Sequence, residues 1–112
     1  MKSMLFSLAT LMAAGPVAAE GITTYALDSS FDDATFALES AIVGRGLVID
    51  YVSHVGEMLA RTGADVGSDV QLFEAADVFL FCSAVTSRSV MEADLMNIAF
   101  CPYGMFVADT GE

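Results

Sequence analysis

The sequence predicts a small two-layer sandwich of the α+β or α/β class. Three observations carry that reading. Short runs rich in β-branched and aromatic residues alternate along the chain with segments whose apolar residues recur at helical spacing. The length, 112 residues, gives room for one domain. Hydrophobic residues make up 55% of the chain, too large a share for an acidic disordered tail.

Taken in order, Gly21–Asp28 holds Ile22, Thr23, Thr24 and Tyr25 and reads as a first strand. Ser30 is a good N-cap, with Asp32 and Asp33 favoured at the positive end of the helix that follows. Ala34, Leu38, Ala41 and Ile42 then mark an amphipathic helix over Phe31–Val43, stopped by Gly44 and Gly46. Leu47–Val55 reads as a strand. Strict alternation places Leu47, Ile49, Tyr51 and Val55 on one face and Asp50 and His54 on the other. Glu57–Arg61 predicts a short helix closed by Gly63, and Asp65–Glu74 carries no clear period. Ala76–Ser83 is a continuous apolar run, the mark of a buried central strand. Thr86–Met96 predicts one helix, and Ile98–Ala108 an edge or bulged strand because of Pro102 and Gly104. The predicted order is β-α-β-α-β-α-β.

Residues 1–19 read as a secretory signal peptide. Lys2 supplies the positive start, Met4 to Ala14 an uncharged apolar run, and Val17-Ala18-Ala19 the small residues before a cleavage point, with Glu20 following. The run is shorter than the roughly 20 residues that a membrane span needs. The expectation is therefore an exported protein, periplasmic or secreted, whose residues 20–112 form a single domain with no membrane span after cleavage. Lys plus Arg number 4 against 15 Asp plus Glu, a formal net charge of −11. Such a field repels phosphates, which excludes nucleic-acid binding through the backbone and attachment to an anionic leaflet. Losing Lys2 would leave Arg45, Arg61 and Arg88 as the only bases.

One stretch is more specific. Phe79-Leu80-Phe81-Cys82-Ser83-Ala84, then Ser87-Arg88, Met91-Glu92-Ala93-Asp94, Asn97-Ile98 and Phe100-Cys101-Pro102-Tyr103, resembles the domain-of-unknown-function 302 family in a secreted proteobacterial branch. The passage from Thr35-Phe36 through Leu38-Glu39 and Ala41-Ile42 to Gly46-Leu47 resembles it too, so the likeness runs from about Tyr25 to Asp109. The resemblance implies a compact α+β fold of β-α-β-β-type order, a small sheet with helices on one face, and implies no activity. Members usually continue with a further strand and a C-terminal helix. The resemblance therefore implies a truncated member, with an exposed sheet edge and one face lacking its covering helix.

Few side chains here suit chemistry. Cys82 and Cys101 are the only cysteines, and two cysteines in an oxidising compartment point first to a disulfide. Two free or buried thiols, or a metal, haem or redox role, are the alternatives. His54 is the only histidine. With Cys82, Cys101 and one of Met58, Met91 or Met96 it would give a soft ligand set suited to copper(I), or an axial haem position. No Cys-x-x-Cys-His occurs, which excludes covalent c-type haem. The methionines also serve as core filler, and His54 as a surface or hydrogen-bonded structural residue. Arg88, inside the family-like stretch, is the first candidate to anchor an anion, or else it pairs with a neighbouring acid. No nucleophile elbow, phosphate loop or EF-hand spacing is present. The functional expectation is an exported accessory or binding protein with no enzymatic activity assigned. The rival is a periplasmic redox protein, dependent on thiols, metal or haem, using Cys82, Cys101 and His54. A third reading is a structural protein that pairs with itself or with a periplasmic partner through an open sheet edge.

Overall fold

The computed structural model describes residues 21–112; the expected signal peptide and its cleavage point lie outside them. The fold is α+β, a three-stranded antiparallel sheet with helices. In chain order it has helix α1 (Phe31–Gly44), strand β1 (Val48–Ser53), helix α2 (Val55–Thr62), a single 3-10 turn (Ala64–Val66), strand β2 (Ala75–Cys82), helix α3 (Ala84–Ala93), a 3-10 helix (Leu95–Phe100) and strand β3 (Tyr103–Asp109). The sheet order is β1-β2-β3, so the apolar run does form the central strand.

α1 starts where its cap chemistry says it should. The Ser30 hydroxyl accepts from the Asp33 amide at 3.1 Å, and Asp32 and Asp33 occupy the first turn. It ends through Gly46, whose φ of +76° lets the chain reverse, the Gly46 amide donating to the Val43 carbonyl at 2.9 Å. Ile42 on α1 packs with Phe79 and Phe81 of β2, and Leu38, Leu47, Ile49, Val52 and Tyr103 close around them. Phe81 and Tyr103 meet edge to face at a centroid distance of 5.3 Å. This is a thin core, as the size of the chain requires.

The predicted first strand is not formed. Residues 21–28 are exposed and pair with no strand. Their β-branched residues express a preference for packed, half-buried surface, and the sheet offers them no neighbour. The described order therefore begins with a helix, and the β-α-β-α-β-α-β order is not seen.

Period-two reading of β1 also fails, for a local reason. Ile49 pairs with Phe81, but Tyr51, not Asp50, pairs with Leu80. Asp50 is thus an extra residue in a β-bulge, which turns Tyr51 away from Ile49 and onto the far face. Val52 takes the core position instead. Tyr51 is 63% exposed, and Val48 and Phe106 on the same far face are exposed as well.

The predicted helix over Thr86–Met96 is two elements. Asp94 takes extended backbone and its carboxylate accepts from the Met96 amide at 2.9 Å, ending α3 and capping the 3-10 helix. Ile98–Phe100 belong to that helix, and β3 begins only at Tyr103, after Pro102 and a cis Cys101–Pro102 peptide. Because β2 and β3 are antiparallel neighbours, α3 and the 3-10 helix form a long reversal rather than a crossover. Among the described residues, no helix is long and apolar enough to cross a membrane.

Candidate functional site

The candidate residues divide between the two ends of the sheet. At one end β2 finishes at Cys82 and Ser83 caps α3, its hydroxyl accepting from the Thr86 amide at 3.2 Å. The reversal returns through Cys101 to β3. Phe81 pairs with Tyr103, so the next step along each strand sets Cys82 beside the Cys101–Pro102 corner. The two thiols are close enough for each to perturb the other. Both are free thiols and both are partly buried. The Ser87 hydroxyl, one turn into α3, lies 3.5 Å from the Cys101 sulfur. The Cys82 thiol is pushed above the usual cysteine range, first by its hydrogen bond with Cys101, then by burial, the negative Cys101 and Asp50; Ser87 pulls the other way.

Beside this pair a groove of about 230 Å³ opens between α3 and the 3-10 helix, lined by Thr86, Ser87, Val90, Asn97, Phe100, Cys101 and Tyr103. Three of its polar side chains already have partners. The Asn97 amide donates to the Val90 carbonyl at 2.7 Å, the Tyr103 hydroxyl accepts from the Ser83 amide at 2.8 Å, and Ser87 faces Cys101. The rest of the lining is Val90, the ring of Phe100 and Thr86.

His54 stands at the other end. It precedes α2, and its Nδ1 is 2.8 Å from a carboxylate oxygen of Asp77 near the start of β2. That hydrogen bond, then the charge of Asp77, holds the imidazole above its ordinary pKa, with a smaller contribution from Glu57. The five steps along β2 from Asp77 to Cys82, at about 3.4 Å each, put roughly 17 Å between the two ends. The structure therefore does not bring His54 to the sulfurs, and the expected soft ligand set of His54, Cys82 and Cys101 is corrected on that ground. Met58 goes with α2 and Met91 with α3, and Met96 is on the 3-10 helix rather than on a helical patch shared with Met91. Among the described residues, no three or more His, Cys, Asp or Glu converge on a point that could hold a metal ion. Arg88 is exposed and meets Glu92 one turn along α3 at 3.0 Å.

Sequence reasoning missed Asp77, Ser87, Asn97 and Tyr103 as parts of these sites. Ser87 and Asn97 were visible only as polar residues near the cysteines, and nothing local signals the His54–Asp77 contact, which the β1–β2 register creates. Fold and site together define a small α+β domain with a dithiol and an apolar groove at one end of its sheet. No family model matches the chain, and comparison with curated proteins and with solved structures also yields no match.

Proposed function

We propose that the chain is an exported accessory or binding protein, periplasmic or secreted, that takes a small apolar group in the groove between α3 and the 3-10 helix. The observation that carries this is the groove's lining: Ser87, Asn97 and Tyr103 are engaged internally, so desolvating that part of the wall costs little, and Val90 and Phe100 are left to receive an apolar guest. Its volume is below the roughly 300 Å³ at which drug-sized ligand pockets begin. That favours one apolar side chain or a short acyl or aromatic group over a large cofactor. Export rests on the pattern of residues 1–19, and the proposed kinship with the domain-of-unknown-function 302 family on the resemblance of the Phe79-to-Tyr103 string. No catalytic residue is assigned.

The test uses protein recovered from the periplasm of an expressing bacterium, whose N-terminal sequence should begin at Glu20. Titration with Nile red, an uncharged apolar dye, should show saturable binding that Phe100→Asp abolishes and Tyr51→Ser, on the far face of the sheet, leaves in place. Binding that is unsaturable, or unchanged in Phe100→Asp, overturns the groove reading. An N-terminus at Met1 overturns the export reading.

A further inference from the structure

We propose that Cys82 and Cys101 form a reversible dithiol–disulfide couple that the native fold pre-aligns at the β2–α3 end of the sheet. The couple goes beyond the groove reading and does not depend on it.

The alignment comes from the sheet. The Phe81–Tyr103 pair is the last in register between β2 and β3. Directly opposed residues of antiparallel strands have Cα atoms about 4.5–5.5 Å apart. Cys82 and Cys101 are one and two residues beyond that pair, so the register brings both to the same corner of the sheet, the juxtaposition a disulfide needs. The Ser87 hydroxyl, on the turn of α3 that follows Cys82, lies 3.5 Å from the Cys101 sulfur, so the Cys101 side chain turns toward the β2–α3 corner where Cys82 sits. Both sulfurs are partly buried, not sealed, so a small reagent can reach them. With His54 at the far end of the sheet, no third His, Cys, Asp or Glu among the described residues joins the pair in the set that a closed tetrahedral metal centre needs. What two adjacent thiols can do without a third group is exchange with a disulfide.

The step balances with a small disulfide such as oxidised glutathione as oxidant. The Cys101 thiolate, on the wall of the groove, attacks one glutathione sulfur. The glutathione S–S bond breaks, one glutathione thiolate leaves, and a mixed disulfide forms on Cys101. Cys82 then gives up its proton to solvent and attacks Cys101, breaking the mixed disulfide and releasing the second glutathione thiolate. The pair loses two electrons and two protons, and the oxidant becomes two glutathione thiols. The raised Cys82 thiol suits the second role, since it stays protonated until the mixed disulfide is beside it.

The experiment equilibrates the full exported chain in buffers of varied reduced-to-oxidised glutathione ratio, quenches with acid, alkylates and reads the mass. The result expected is loss of both alkylatable thiols with no glutathione attached, reversed by reductant. Closure should be at least about tenfold more favourable in the native chain than in the same chain in urea, because the fold holds the thiols together. Cys82→Ser should instead stop at one glutathione on Cys101. Two glutathiones on the native chain, disulfide-linked dimers alone, or closure no more favourable in the native chain than in urea would overturn the proposal. The urea comparison and the Cys82→Ser arm each decide it even where one variant folds poorly.

Discussion

His54 illustrates how a single contact sets both a residue's charge and its contribution to stability. Its Nδ1–H donates to Asp77, which favours the imidazolium and raises its pKa in the folded chain. The unfolded chain loses Asp77, so between the ordinary histidine value and the raised one the folded state holds more protons than the unfolded. Stability from this pair is therefore complete below the ordinary histidine value and is lost as pH rises through the raised one. Chemical denaturation at a series of pH values should show the native chain losing stability across that window relative to Asp77→Asn, which removes the charge and flattens the difference. A parallel pair of curves would mean that the contact does not form. The effect is small because the imidazole is 58% exposed and water screens the pair. Arg88 and Glu92, more exposed still, belong to the class of surface pairs that contribute little.

At the scale of elements, the residues with the clearest local signals behaved as such signals require. Ser30 caps α1, Ala76–Ser83 is central, and α1 runs as its periodicity says, because each depends on neighbours in sequence or on sheer apolar content. The failures all involve tertiary partners. Gly21–Asp28 has strand composition but no strand beside it, and the bulge at Asp50 is set by how β1 meets β2. Asp94 falls inside the predicted Thr86–Met96 helix, yet it ends α3 and caps the 3-10 helix instead. Gly56 gave no signal at all. It lies in the first turn of α2, where an added Cβ would come within 2.6 Å of the Ala76 amide nitrogen, a backbone atom that cannot step aside. Gly56→Ala must therefore lift α2 off β2, and its cost is expected to be about 1–3 kcal/mol despite the better helix propensity of alanine. Urea unfolding of the variant against the native chain measures this; an unchanged or higher midpoint would show that α2 does not pack so closely.

For the whole molecule, the sheet acts as a spacer. It keeps the imidazole of His54 at one end and the two sulfurs at the other, so residues that look like one ligand set on paper become two separate features. That the two cysteines meet at one end of the sheet was legible in the predicted strands around them. The separation of His54 was not, since it depends on β1 and β2 being antiparallel, which one sequence does not disclose. The groove was equally invisible, because Val90, Asn97 and Phe100 come together only through the break at Asp94. The thin core leaves the far face of the sheet apolar and open at Val48, Tyr51 and Phe106, while the chain carries a net charge of −11 that opposes its own collapse. The central claim is that this small fold holds Cys82 and Cys101 side by side. Reaction of the fully reduced native chain with dibromobimane, which fluoresces strongly when it bridges two nearby thiols, tests that most directly. The account predicts a rapid fluorescent product whose peptide map joins Cys82 to Cys101, formed far more slowly in urea. Two singly alkylated cysteines, with no bridged peptide from the native chain, would contradict it.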